Sequence, residues 1–226
     1  SAIGITEQYR ESFQEHSDYK KIIIIASPNV QENFKKQLFD SSKLKMENKK
    51  WVLNGCVGRA LLNEFNDQKI DDLTKEELTQ KLNTLINNNY TFMGYEKFAN
   101  KVLKLMNVKN SNEKKKESMI KQNLYSEFRN RMIIIDEAHN IRLIGDTTKV
   151  YKKVATTLLK LFNYVQHIKL VLLSGTPMYN DPREIIFLTN ILNMNDRRPI
   201  ILNRQIFDKD GNLKPNGENI LRDSLN

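Results

Sequence analysis

The feature that most constrains the fold is a run of four apolar residues, Met132–Ile135, which ends on two adjacent carboxylates, Asp136 and Glu137. A short apolar run that is rich in β-branched residues and bounded by charge predicts a strand buried on both faces, as in parallel sheets. The carboxylates then lie at the carboxyl end of the strand, where open α/β sheets bind their ligands. Two carboxylates at this place indicate a functional site rather than part of the core.

Such a pair suits the metal-assisted hydrolysis of a nucleoside triphosphate. In that chemistry Asp136 would hold Mg²⁺ through water, and Glu137 would orient or deprotonate the attacking water. The alternative is a buried strand that ends on ordinary solvated acids. His139 taken alone is more typical of a packed or capping histidine, and only its spacing after the two acids makes it a candidate.

The composition limits the class of protein. With 226 residues, of which 39% are hydrophobic and 28% charged, the chain is long enough for one sizeable core and a subdomain. A single cysteine, Cys56, excludes an internal disulfide and a cysteine-rich zinc site. The apolar runs are far shorter than the ~20 residues that span a bilayer, and the opening residues do not resemble a signal peptide. We therefore expect an intracellular protein that is not secreted and has no membrane partner.

The net charge of +9 favours a polyanionic partner. The abundance of Lys, Asn and Ile is also typical of an AT-rich genome, so charge alone does not identify that partner. Five lysines fall within residues 107–121. This run predicts a solvated or mobile loop in preference to a dedicated nucleic-acid patch.

Periodicity predicts alternating strands and helices through most of the chain. Beside the central strand, strands are expected at residues 21–26, 90–94 and 168–173. Helices are expected at residues 1–16, 30–39, 95–106, 147–165 and 182–192. Between residues 41 and 89 the alternation fails, which favours a largely helical insertion with a short strand at 51–54 and helices at 56–65 and 73–86. The tail from residue 195 onward is expected to be irregular and peripheral.

Two other predicted strands also end on residues suited to a site. Ser27-Pro28-Asn29 follows the strand at 21–26, and a helix starting there leaves free backbone N–H groups that suit a phosphate. A plain strand-to-helix turn is the alternative. Ser174-Gly175-Thr176 follows the strand at 168–173, where its hydroxyls would reach the carboxylates or the phosphate they serve. Residues 55–59, Gly-Cys-Val-Gly-Arg, lack the Gly-Lys-Ser/Thr end of a phosphate loop and predict a turn.

Several of these stretches resemble the motifs of one family. Ile-Ile-Ile-Asp-Glu-Ala-His (133–139), Leu-Leu-Ser-Gly-Thr-Pro-Met (172–178) and Ile-Ile-Ile-Ile-Ala-Ser-Pro-Asn (22–29) resemble motifs II, III and Ia of superfamily 2 helicases, in the correct order. Ser-Gly-Thr-Pro-Met-Tyr-Asn (174–180) is similar to the Snf2-like branch, and residues 90–98 resemble its motif Ib region. The insertion, with Trp51 and Gly55, and residues 180–184 resemble DEAH-type ATPases of large cytoplasmic DNA viruses. Those are relatives of the poxvirus early transcription factor helicase subunit and of the nucleoside triphosphatase that works with viral RNA polymerase.

The resemblance implies an α/β fold of the RecA-like (P-loop NTPase) type, with a mostly parallel sheet flanked by helices and a helical insertion. Residues 1–195 would be the first RecA-like domain, with 41–89 as the insertion. Residues 196–226 would be a peripheral segment or the start of an interdomain linker. ATP and Mg²⁺ would be bound by Asp136 and Glu137. Asp136 would hold the metal through water, Glu137 would be the catalytic base, and His139 would link the ATP site to motif III.

The resemblance also implies how hydrolysis acts on a partner. Ser174, Gly175 and Thr176 would couple hydrolysis to movement. The residues that contact the nucleic-acid backbone, of DNA rather than RNA, would be Ser27, Pro28, Asn29 and Val30. The other expected partners are a second RecA-like domain of the same polypeptide and viral RNA polymerase or transcription factor subunits. For a viral protein the location would be the host cytoplasm or the virion.

Two departures from the family pattern matter. The chain contains no Gly-x-Gly-Lys-Thr loop and no second RecA-like domain with an arginine finger. Without the loop's Lys and Thr it has no firm grip on the β- and γ-phosphates, so the parent protein would be the ATPase and the isolated chain would be inactive. The alternative is a nucleic-acid-binding or scaffold module with a decayed ATP site. The intact Asp136-Glu137 pair argues against that alternative, and the missing loop argues for it.

We predict that the residues encoded just upstream of Ser1 contain Gly-Lys-Thr or Gly-Lys-Ser. The opening helical pattern has no N-terminal cap, and the stretch that resembles motif Ia follows at the usual distance from such a loop. Sequencing the coding region upstream tests this directly. A different sequence there would favour the scaffold interpretation.

Overall fold

The computed structural model describes residues 2–13, 20–55, 57–65, 70–143, 148–166, 168–178 and 181–225. Parts of some predicted elements lie outside the described residues: residues 1 and 14–16 of the first helix, Cys56 and Thr147. The chain forms two compact units, Ser1–Met93 and Gly94–Asn226.

The first unit contains four helices and four strands among its described residues. They are α1 (Ala2–Phe13), β1 (Ile22–Ile25), α2 (Pro28–Leu38), β2 (Leu44–Glu47), β3 (Lys50–Leu53), α3 (Gly58–Asn63), α4 (Lys75–Asn89) and β4 (Tyr90–Met93). β1 and β4 pair in parallel, with Ile22 opposite Tyr90. All four isoleucines of β1 are fully buried, and burying one such side chain contributes about 1.5–3 kcal/mol. The predicted strands at 21–26 and 90–94 are confirmed.

Helix starts in this unit follow from local capping chemistry. α2 begins at Pro28, as predicted, with Ser27 before it. α4 begins after Thr74, whose side chain accepts the N–H of Glu77 while the Glu77 carboxylate accepts the N–H of Thr74 at 2.8 Å. This reciprocal capping box satisfies two backbone donors that a helix otherwise leaves unpaired.

The segment 41–89 holds a β-hairpin beside its helices. β2 and β3 are antiparallel, with Leu44 opposite Leu53, so the short strand expected at 51–54 has a partner that sequence reasoning missed. α3 begins at Gly58, where an added Cβ would lie 2.3 Å from the Leu53 carbonyl oxygen. Close packing therefore explains this glycine without a phosphate. The interpretation of 41–89 as an insertion stays a prediction.

A buried polar network fixes α1 in the first unit. Arg10 Nη2 donates to Glu7 at 2.8 Å, and Arg10 Nη1 donates to Glu64 at 2.8 Å. The Tyr90 hydroxyl donates to Glu7 and lies 2.9 Å from Thr6 Oγ1. Burial alone would lower the pKa of Arg10, but the two carboxylates raise it above its usual value. The network therefore keeps the Arg10 charge in an interior where an unpaired ion would be costly.

The second unit contains six helices and two strands among its described residues. They are α5 (Tyr95–Met106), α6 (Glu113–Phe128), β5 (Met132–Ile135), α7 (Lys149–Tyr164), β6 (Lys169–Leu172), α8 (Glu184–Asn195), α9 (Asn203–Ile206) and α10 (Gly217–Leu225). β5 and β6 pair in parallel, from Met132 opposite Lys169 to Ile135 opposite Leu172. β5 is buried throughout, as predicted. The strand predicted at 168–173 is confirmed as β6, but its expected burial is wrong, because Lys169 is exposed and the rest of β6 is only half-buried.

Two further expectations for this unit are wrong. Residues 107–121 are not a loop throughout, since α6 begins at Glu113 with the Asn112 side chain as its cap. Ile120, Leu124 and Phe128 are buried at four-residue intervals, and this apolar stripe stabilises a helix whose other faces carry the lysines.

The tail after residue 195 is not irregular either, because it contains α9 and α10. Ile201, Ile206 and Phe207 form a buried cluster with Ile186 of α8. This packing stabilises helices that are too short to be stable alone.

Both units combine parallel strand pairs with helices, so the predicted α/β class, with mostly parallel strands flanked by helices, is confirmed. This architecture is consistent with a RecA-like fold. The proposed domain boundaries, 1–195 and 196–226, stay predictions. None of the described helices combines the length and apolar content needed to cross a membrane.

Replacing Glu7 by Gln is expected to lower the free energy of unfolding by up to about 3 kcal/mol, because it removes the more buried of the two carboxylates that pair with Arg10 and leaves only Glu64. Urea denaturation of the 226-residue chain measures the change. Glu32→Gln is the matched control, since the Glu32–Lys35 pair is exposed and such pairs contribute at most about 1 kcal/mol. Equal midpoints for the two variants would show that the Glu7 charge does not stabilise the unit.

Candidate active site

The parallel pairing of β5 and β6 brings two of the predicted motifs together. Backbone hydrogen bonding continues beyond the strand ends: the Leu173 N–H donates to the Ile135 carbonyl at 2.8 Å, and the Ala138 N–H donates to the Leu173 carbonyl at 2.9 Å. The turn that carries Asp136 and Glu137 is therefore hydrogen-bonded to the segment that leads into Ser174.

His139 lies between side chains of these two motifs. It belongs to a 3₁₀ turn, Ala138–Asn140. Its Nδ1 lies 3.0 Å from Ser174 Oγ and 3.3 Å from Glu137 Oε2. Ser174 Oγ in turn accepts the backbone N–H of Thr176 at 3.1 Å. One imidazole thus contacts both motifs.

Glu137 has a left-handed backbone, with φ of +46° and ψ of +43°. A residue with a Cβ reaches this conformation at a cost of about 1–2 kcal/mol. Such conformations persist only where the surroundings enforce them, and they cluster at functional sites.

The two carboxylates differ in exposure. The Glu137 side chain is 52% exposed, so solvent or a substrate reaches it. Asp136 is half-buried, and burial raises its pKa above the usual range, with the neighbouring Glu137 charge adding to the shift. A partly desolvated carboxylate beside a second one favours a bound cation.

The two carboxylates, Asp136 and Glu137, suit Mg²⁺ better than they suit a metal ion that is coordinated by protein ligands alone. Mg²⁺ usually keeps several waters and binds through one or two carboxylates plus substrate phosphates. Within the described ranges, no group of three or more His, Cys, Asp or Glu side chains is placed to hold one metal ion. A metal at Asp136 would take its other ligands from water or phosphate.

Two tyrosines that sequence reasoning missed lie beside the carboxylates. The Tyr95 hydroxyl donates to the Asp136 carbonyl oxygen at 2.8 Å. Its ring meets Tyr151 of α7 edge to face, with centroids 5.0 Å apart. Burial, followed by Tyr151 and the two acids, raises the pKa of Tyr95, so Tyr95 remains a protonated donor. For Tyr95, the position directly after the predicted strand β4 could have indicated a place near the site. The sequence around Tyr151 gives no such indication.

An ion pair between Arg142 and Glu184 was also missed. It joins the segment just after the His139 turn to the first residue of α8. The two residues are 42 positions apart, and neither occupies a position that marks such a pairing in the sequence.

The other residues that were predicted to belong to the site make fewer contacts with the turn at residues 136–139 or none that the structure describes. Gly175 and Thr176 are exposed, and a Cβ added at Gly175 would meet nothing within 4 Å. Neither packing nor backbone conformation therefore requires glycine at position 175. Ser27, Pro28, Asn29 and Val30 form the entry to α2 in the first unit, where Ser27 makes no side-chain capping bond. The predicted roles of all these residues stay predictions.

Comparison with known proteins shows similarity to three viral proteins whose names are provisional. Protein 087L of Invertebrate iridescent virus 3, named as a helicase, is 30% identical over 146 residues, which cover 60% of this chain and 13% of 087L. Protein L377 of Acanthamoeba polyphaga mimivirus, named as an ATP-dependent RNA helicase, is 24% identical over 98% of this chain and 19% of L377. Protein 009L of Frog virus 3 (isolate Goorha), named as a helicase, is 23% identical over 87% of this chain and 20% of 009L.

No protein-family model and no solved structure matches the chain. The chain is thus similar to viral proteins named as helicases, and it spans a fifth or less of the length of each.

Proposed function

We propose that the chain is the first RecA-like domain of an ATP-dependent nucleic-acid helicase or translocase, of the superfamily 2 DEAH type found in large cytoplasmic DNA viruses. The observation that supports this most is the convergence of Glu137, His139 and Ser174 at adjacent ends of parallel strands. Similarity to viral proteins named as helicases supports the same function.

The two carboxylates have separate roles in this proposal. Asp136 would hold Mg²⁺ through water, and the bound ion would neutralise charge on the β- and γ-phosphates of ATP. Glu137, the more exposed carboxylate, would accept a proton from the attacking water. Its left-handed backbone would fix the direction in which that carboxylate is presented.

His139 and Ser174 would link changes at the ATP site to residues 174–176, which follow β6. Because His139 Nδ1 is within reach of both Glu137 and Ser174, a change at Glu137 alters the partner available to Ser174. Ser174 also accepts the Thr176 N–H. In the parent protein, residues 174–176 would pass this change on as movement.

Nucleic acid is the proposed partner. The entry to α2 consists of Ser27, Pro28, Asn29 and Val30; Ser27 makes no side-chain capping bond, and Pro28 and Asn29 are exposed. Because proline has no N–H, the backbone donors presented to a phosphate would be those of Asn29 and Val30. The resemblance to the DNA-virus ATPases favours DNA, whereas the name of mimivirus L377 specifies RNA. Binding titrations with DNA and RNA of one sequence would separate the two. Viral RNA polymerase or transcription factor subunits, in the host cytoplasm or virion, are the further proposed partners.

In the parent protein, Glu137→Gln is expected to abolish ATP hydrolysis and to leave ATP binding largely intact. The carboxylate acts on water rather than on the nucleotide, so turnover should fall by at least about 100-fold. Steady-state ATPase rates and titration with a fluorescent ATP analogue measure the two effects. Glu117→Gln on the exposed side of α6 is the matched control. Near wild-type turnover in Glu137→Gln would remove Glu137 from the catalytic role.

The isolated 226-residue chain is expected to be folded but without ATPase activity, and to bind nucleic acid weakly. Its buried strands supply a core, while the phosphate loop and arginine finger are missing from the sequence. Remaining contacts with phosphates would lose about 10-fold in affinity between about 50 and 200 mM salt, through counterion release. A thermal melt, an ATPase assay and titrations at the two salt concentrations test this.

Nucleic-acid-stimulated ATP turnover by the isolated chain would contradict these expectations. A parent protein that binds nucleic acid but never hydrolyses ATP would instead favour the scaffold alternative.

A further inference from the structure

We infer that Tyr95 is a positioning residue for the proposed ATP site, because its hydroxyl holds the turn that presents Asp136 and Glu137. The inference rests on the proposed function for its kinetic consequence. The hydrogen bond on which it depends is a feature of the second unit alone.

The turn needs external support because Glu137 is left-handed. That conformation is set by the orientations of the two peptide groups on either side of its Cα. A residue with a Cβ returns to a more common conformation unless both groups are held. The direction of the Glu137 carboxylate therefore depends on what those two peptide groups contact.

Both peptide groups are held, and by different means. In the following peptide group, the Ala138 N–H donates to the Leu173 carbonyl at 2.9 Å, and the Glu137 carbonyl accepts the Asn140 N–H at 3.0 Å. These contacts are backbone only. In the preceding peptide group, the Asp136 carbonyl accepts the Tyr95 hydroxyl at 2.8 Å. This contact comes from one side chain, so a single oxygen atom can be removed to test it.

Tyr95 is itself well placed to act as a fixed support. Its side chain is buried, with 8% of the residue exposed, and its ring packs edge to face on Tyr151. The two tyrosines belong to α5 and α7, which pack against each other. The hydroxyl therefore projects from a packed pair of helices toward the carbonyl that it binds.

Tyr95→Phe in the full-length parent protein tests the inference, because it keeps the ring and removes only the hydroxyl. We expect kcat for ATP hydrolysis to fall about 10-fold, since a misdirected catalytic group costs rate, with KM for ATP within about 2-fold of wild type. The thermal midpoint should stay near that of the wild type. Tyr125→Phe, on the exposed side of α6, is the matched control and should leave all three quantities unchanged.

A second measurement separates positioning from a general structural role. In a Glu137→Gln background the Tyr95→Phe change should lower the residual single-turnover rate no further, because the group that Tyr95 positions is already lost. A purely structural role would give the same 10-fold loss in both backgrounds.

The outcomes distinguish the inference from the proposed function. Wild-type kcat in Tyr95→Phe, or an equal loss in both backgrounds, overturns the positioning role and leaves the proposed ATPase standing. A parent protein that shows no ATP turnover overturns both.

Discussion

The candidate site depends on the register between β5 and β6. Ile135 pairs with Leu172, so the two strands end side by side. The residues that follow them are hydrogen-bonded to each other through their backbones. A shift of two residues would move Ser174 by about 6.6 Å along the strand, well beyond its 3.0 Å contact with His139. A shift of one residue would turn its side chain to the opposite face. Backbone pairing therefore decides which polar groups meet.

Much of the architecture could be predicted because its causes are local. The isoleucines of β1 and β5 form short apolar runs bounded by charged or polar residues, and both strands are where the runs predict them. Pro28 and Thr74 mark helix starts for reasons contained in a few neighbouring residues. The convergence of residues 136–139 with Ser174 followed from parallel strands that end at one edge.

What could not be predicted depends on contacts between distant residues. In α6 the lysine run dominates the local pattern, and the buried positions Ile120, Leu124 and Phe128 extend beyond it. The short α9 is stabilised by packing of Ile206 near Ile186 rather than by its own sequence. The position of Tyr95 directly after β4 is visible in the sequence, but its partner, a backbone carbonyl 41 residues away, is not.

The helical state of the lysine run has an electrostatic consequence. Lys114, Lys115 and Lys116 lie in the first turn of α6, where Glu113 is the one acidic residue. The macrodipole of a helix places partial positive charge at this end, so these cations are unfavourable there. An exposed ion pair between Lys116 and Glu113 at 3.5 Å compensates for only part of this charge. They also repel one another, and the apolar stripe at Ile120 and beyond must offset that repulsion. Screening of this positive charge by dissolved anions is therefore expected to stabilise the first turn of α6 more than the buried core of the unit.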